Sequence, residues 1–142
     1  LFYAYRDFTG EPDTVLSQHD FGRAHHRAIY FIGRNRGMPI GNLLKILKIT
    51  KQSLSRVLTQ LIADGLVEQR AGTSDKRQRL LYLTQKGEDL ERDLSALQCA
   101  RLARAYRDAG AEAVEGFRKV LLGIVDPENQ AAVLSPRRKD DP

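Results

Sequence analysis

One cysteine, one methionine, three histidines and no tryptophan leave the chain little of the side-chain chemistry on which redox, metal and nucleophilic catalysis depend. Cys99 has no second cysteine to pair with, which excludes an intramolecular disulfide and points to a reducing, cytoplasmic setting. No apolar run approaches the roughly 18–20 residues of a transmembrane helix. A Gly-rich phosphate loop, a Gly-x-Ser-x-Gly elbow and a His/Cys/Asp set at nucleophile spacing are all missing. Zinc needs three or four ligands in compact spacing. His25 and His26 are adjacent and so diverge by about 100° on a helix, while His19 stands apart. An enzyme would have to rest on carboxylates, and these are scattered. No catalytic residue, metal or cofactor is therefore expected. The chain opens on Leu1 rather than Met, so a missing or processed N-terminus, and with it a lost signal peptide, stays open.

What is present is ordinary globular composition with uneven charge. The 142 residues are 42% hydrophobic and 29% charged, enough for one domain with a real core. Of the net charge of +5, residues 40–86 hold nine Lys/Arg against three acids, a net of +6. Residues 1–39 are near neutral at +1, and residues 87–142 carry −2. Basic charge confined to the middle third suits a polyanion-binding surface, with a solvated face as the plain alternative.

Punctuation divides the chain. An aromatic stretch (Phe2, Tyr3, Tyr5, Phe8) runs into Thr9-Gly10-Glu11-Pro12-Asp13, which has turn composition. Ser17, with Asp20 three residues on, suggests an N-cap for a helix carrying Phe21, Ala24, Ala28, Phe31 and Ile32. That helix should stop between Gly33 and Gly37. A short helix over Ile40–Leu47, a turn at Lys48-Ile49 and an N-cap at Thr50 follow. The next helix sets Leu54, Val57, Leu58 and Leu61 on one buried stripe, and Gly65 closes it as the left-handed residue. Strands are expected over Leu66–Arg70 and Arg79–Leu83, joined by a loop, 71–78, too long for a two-residue hairpin. Thr84 caps a long helix to about Asp108. Gly110 interrupts, a last helix spans Ala111–Val125, and Asp126-Pro127 ends it. Ser135–Pro142 reads as a solvated tail.

Short helix, turn, amphipathic helix, strand, basic loop, strand is the order of a winged helix-turn-helix. A helix can enter the major groove only when its apolar side is braced, leaving the other side to read bases and grip phosphates. Lys51, Gln52, Ser53, Ser55, Arg56 and Gln60 are suitable types: Arg for guanine, Gln for adenine, Ser and Lys for phosphate. An ordinary polar surface helix is the alternative. Lys76, Arg77 and Arg79 cluster near the tip of the wing, from which a cationic loop can reach a neighbouring minor groove. Asp75 either pairs with Arg77 and sets its direction or is simply a turn aspartate.

The stretch from Ile49 to Val67 resembles the recognition helix and following strand of MarR-type regulators. Asp75-Lys76-Arg77 is similar to that family's Asp-x-Arg wing motif, and Leu83-Thr84-Gln85-Lys86-Gly87 to its Leu-Thr-x-x-Gly junction. The likeness covers roughly residues 17–95 and leans to the PetP-like subgroup. It implies a homodimeric, DNA-binding transcriptional regulator on a palindromic site, with Arg77 in the minor groove oriented by Asp75 and Lys51–Arg56 at the major groove. A winged-helix module that binds protein without sequence-specific DNA binding is the alternative. The implied fold is mainly α with a small antiparallel β-hairpin wing. Residues 1–37 would form a dimerisation and a support helix, 38–86 the winged module, 87–126 the C-terminal dimerisation helices and 127–142 a tail. The surplus of apolar residues outside the winged module supports dimerisation independently, against a monomer whose helices fold back on it. The family's small-molecule effector pocket would involve His26, Arg27, Tyr30 and Arg34. His25, on the apolar stripe of its helix, reads as a packed, hydrogen-bonded histidine, and Cys99 as structural rather than a redox sensor.

Overall fold

The structure, a computed structural model, describes residues 1–134. Within them are seven helices and a small sheet. Helix α1 (Phe2–Ser17) and α2 (Arg23–Arg34) lead into β1 (Met38–Pro39). The short α3 (Ile40–Leu47) and α4 (Lys51–Ala63) follow, then strands β2 (Val67–Ala71) and β3 (Arg79–Leu83). The long α5 (Gln85–Ala109), α6 (Ala111–Ile124) and α7 (Pro127–Leu134) complete the chain. The antiparallel sheet has the order β1-β3-β2, with Met38 opposite Leu81 and Gln69 opposite the same residue on the other side. The whole is a mainly α winged helix-turn-helix. Its core lies where α2, α4 and the sheet converge, around Ile29, Ile32, Leu54, Leu61 and Leu81.

The first helix departs from the sequence expectation. Thr9–Asp13 forms no turn; α1 runs straight through Gly10 and Pro12. Thr9, Pro12 and Leu16 are its buried residues, a stripe at helical spacing, and α1 packs along α5. Tertiary packing therefore overrides local propensity. Proline removes the N–H that would bond the Phe8 carbonyl, and the Gln98 side chain of α5 reaches that oxygen at 3.5 Å. Glu11 meets Arg101 of α5 at 2.7 Å.

Ser17 caps nothing: it is the last residue of α1, and its hydroxyl donates to the Thr14 carbonyl. Helix α2 starts five residues later from Gly22, whose N–H donates to His25 Nδ1 at 3.1 Å. Two elements have no counterpart in the expectation. Strand β1 is two residues long, too short to show alternation, and its Pro39 sits at a sheet edge where no N–H is required. Residues 127–134, assigned above to the tail, form α7 instead, with Pro127 at its first position, where proline fits. Ser135–Pro142 lies outside the described residues. Cys99 is exposed on α5 and packs into no core of this chain.

Candidate nucleic-acid interface

Local chemistry sets the helix-turn-helix. Lys48 closes α3 in the left-handed region (φ 49°), a conformation that costs a non-glycine residue on the order of 1 kcal/mol. Thr50 then caps α4: its Oγ1 accepts from the Ser53 N–H at 3.1 Å and its hydroxyl donates to Ser53 Oγ at 2.9 Å. Leu54, Val57, Leu58 and Leu61 are buried as the spacing predicts. At the far end the Leu66 N–H donates to the Leu61 carbonyl and the Gly65 N–H to that of Ile62. With Gly65 at φ +71° this is a Schellman stop.

Bracing one stripe exposes the rest. Lys51, Gln52, Ser53, Ser55, Arg56, Thr59 and Gln60 are all exposed. At about 100° per residue, Gln52, Arg56 and Thr59 stand opposite the buried stripe. Lys51 and Ser55 take the flank toward α3 and β2, lining a groove of about 410 Å³ with Ile40, Leu44 and Ile62. Ser53 and Gln60 take the opposite flank, where Gln60 meets His25 of α2. No acid lies in the first turn of α4, so the positive end of its dipole stays available to an anion.

The wing is built around Asp75. Its Oδ1 accepts the Arg77 N–H at 2.9 Å and its carbonyl accepts the Gln78 N–H at 3.0 Å, while the Gly72 N–H bonds the Gln78 carbonyl. A Cβ at Gly72 would stand 2.5 Å from the Asp75 carbonyl oxygen, so the loop closes only over glycine. No ion pair joins Asp75 to the Arg77 guanidinium. Asp75 shapes the backbone at Arg77 and leaves the cationic head free. Lys76, Arg77 and Arg79 are exposed.

The motif at the wing's base has a steric reason. Thr84 caps α5 by accepting the Gly87 N–H at 3.1 Å, and its hydroxyl donates to the Gly65 carbonyl at 2.6 Å. The Lys86 ammonium donates to the Asp64 carbonyl at 2.8 Å. A Cβ at Gly87 would lie 2.1 Å from the Leu66 carbonyl oxygen. The end of α4 and the start of α5 are thus clamped together.

Several cations outside α4 and the wing tip are paired. Arg23 pairs with Asp13, Arg34 with Glu91, Arg92 with Asp89, Arg101 with Glu11 and Lys119 with Glu115. Among the described residues Lys51, Arg56, Lys76, Arg77 and Arg79 make no ion pair. Charge left unpaired on an exposed helix and a loop tip is what phosphate binding needs.

These features have close parallels. A sequence profile described as the MarR family matches residues 19–78. Over 127 residues the chain is 58% identical to the HTH-type transcriptional regulator PetP of Rhodobacter capsulatus, covering 89% of this chain and 76% of that one. The chain belongs to the MarR family. Among solved structures it resembles NadR in complex with 4-hydroxyphenylacetate, with TM-score 0.73, 23% identity and 87% of each chain covered. It also resembles a MarR family regulator from Silicibacter pomeroyi, with TM-score 0.66, 23% identity and coverage of 96% and 91%. At such identities these two likenesses speak to the fold. As a MarR-type protein it is a DNA-binding transcriptional regulator and not an enzyme, and its leaning to PetP agrees with the sequence reading. No helix of the described residues is long and apolar enough to cross a membrane, and no group of three potential metal ligands occurs among them.

The residues expected to face an effector gather on α2. Arg27 donates to the Tyr5 hydroxyl at 2.8 Å, and Arg34 to Glu91 of α5 at 2.5 Å while lying 3.5 Å over the Tyr30 ring. The Arg34 Nε is buried without a hydrogen-bond partner. His26 is buried, and desolvation holds its pKa below the usual histidine value. Neither the groove beside α4 nor a second groove of about 260 Å³, between α1 and α5, is lined by these four residues. Sequence reasoning missed the engagement of Gln60 by His25, since the two are 35 residues apart. The burial of His25 could be anticipated from the α2 stripe, but its partner could not.

Proposed function

We propose that the protein acts as a homodimer that grips a palindromic duplex, with α4 in successive major grooves and the wing at the flanking minor grooves. The unpaired cluster Lys51, Arg56, Lys76, Arg77 and Arg79 carries this reading. On one chain, α6 buries nothing, and Val120 and Ile124 are 63% and 59% exposed, as is Phe2 of α1 at 72%. Apolar area of that extent on terminal helices is what a second copy covers. Half-sites then stand roughly 10 bp apart. Because NadR is seen with 4-hydroxyphenylacetate, a small aromatic acid is the effector class to screen first, with Arg27, Arg34, Tyr30 and His26 as its contacts.

Mobility shifts across a salt series test the DNA contacts. Arg77→Ala is expected to weaken specific and unrelated duplexes alike and to lower the salt slope by about one. Arg56→Ala should cost roughly 1–3 kcal/mol at one base pair if it reads guanine. Indistinguishable behaviour of both variants from wild type refutes the assignment, and salt-insensitive binding to a protein instead would favour an interaction module.

A further inference from the structure

Gln60 stands on the edge of the reading face, and its amide is not free to turn. The Gly22 N–H donates to His25 Nδ1 at 3.1 Å, so that nitrogen offers a lone pair and carries no proton. The proton of the neutral ring therefore sits on Nε2. Gln60 lies 2.6 Å from that nitrogen, and of its amide atoms only Oε1 can accept there. The ring that holds it is fixed as well. His25 is 9% exposed and stacks on Phe21 at 4.8 Å, and Phe21 stacks in turn on His19 at 5.8 Å.

This has a consequence for base recognition. Glutamine reads adenine by presenting oxygen and nitrogen together, one accepting from N6 and the other donating to N7. With Oε1 tethered to a buried ring on α2, the amide group left to meet a ligand is the NH₂, with two donors and no acceptor. We propose that His25 positions Gln60 as a donor-only contact, whose amide meets an acceptor on the duplex and does not read adenine. The acceptor is a phosphate oxygen, a purine N7 or guanine O6. The proposal rests on the DNA-binding reading above, and revises the expectation that glutamine on this helix suits adenine.

The test selects duplexes from a random library with the full-length protein, its Gln60→Ala, Gln60→Glu and His25→Phe variants and the His25→Phe/Gln60→Ala double variant, then measures affinity for the selected site. The ¹⁵N spectrum of the His25 imidazole is recorded in parallel. Gln60→Ala should lose about tenfold in affinity without losing any adenine preference. Gln60→Glu still accepts from His25 but turns a negative oxygen outward, and should lose about a hundredfold. A phosphate contact leaves the selected sequence unchanged, whereas losing an N7 contact removes a purine preference, and losing an O6 contact a guanine preference, at one position. His25→Phe keeps the ring stack, so its loss in DNA affinity should not add to that of Gln60→Ala in the double variant. The spectrum should place the proton on Nε2. An adenine preference that Gln60→Ala abolishes, additive losses, or a proton on Nδ1 overturns the proposal while leaving DNA binding intact. If wild type enriches no duplex at all, the DNA-binding reading itself fails, and an Nε2-protonated spectrum then separates that failure from a broken His25–Gln60 pair.

Discussion

Residues 38–87 and the flanking helices α1, α6 and α7 treat the same two kinds of side chain in opposite ways. In the winged module most apolar groups are buried: Leu43, Leu54, Leu61, Leu66 and Leu81 are each 2% exposed or less, with Ile46 and Ile62 the exceptions. Its cations on α4 and at the wing tip are left without acids. On α6 the apolar groups stand open, and of its two cations Lys119 is paired with Glu115 while Arg118 makes no ion pair among the described residues. A surface for a polyanion needs free charge over a packed core, and a surface for a second copy needs free apolar area. The contrast separates two kinds of incompleteness that a count of charges or hydrophobic residues would blur.

The strongest way to break the comparison is to undo the finished core. Gly87→Ala forces a methyl group toward the Leu66 carbonyl, where there is no room. Thermal denaturation should show a loss of about 3 kcal/mol, at the upper end of overpacking costs because backbone rather than a side chain must move. A near-neutral result would mean that the clamp between α4 and α5 is loose. The opposite region should respond oppositely. Val120→Glu with Ile124→Glu leaves the monomer fold intact, since α6 buries nothing within one chain. Sedimentation should nevertheless show dimerisation weakened by about a hundredfold, or about 2.7 kcal/mol. Unchanged association would remove α6 from the interface.

Smaller effects sharpen the picture. Thr50→Ala removes the α4 cap and should cost about 1 kcal/mol in stability, with DNA affinity falling further because Ser53 loses its partner. Denaturation and mobility shifts on one preparation compare the two losses. The weakest expected effect belongs to His26. Burial depresses its pKa in the folded state below the ordinary histidine value of about 6.5, so the unfolded chain binds the proton more readily. Stability should therefore be full above pH 6.5 and decline as pH falls toward the folded value. His26→Gln should flatten that limb of the stability curve, and an unaltered limb would place the titration elsewhere.

Much of the winged module could be read from the chain because its signals are local. Thr50, Gly65 and Thr84 are caps whose partners lie within four residues or so, and the stripe of α4 repeats at one period. Pro12 misled for the same reason: its local meaning is a turn, and what holds it in α1 is α5, nearly ninety residues away. Strand β1 exists only as an edge of β3. Asp75 was recognised as important, but whether it bonds the Arg77 backbone or its guanidinium is a matter of loop geometry that composition does not carry. Gln60 was placed on the reading face by periodicity, and its tether to His25 became visible only once α2 lay against α4.

The joint at Gly87 gives α5 mechanical leverage. Its 25 residues make a rod about 37 Å long, seated at one end against the Leu66 carbonyl just beyond the C-terminus of α4. A tilt of only about 5° at that seat carries the far tip roughly 3 Å. In the dimer proposed above, a molecule that wedged beside α5 and tilted it by this amount would shift the separation of the two reading heads by a distance comparable to one base-pair step.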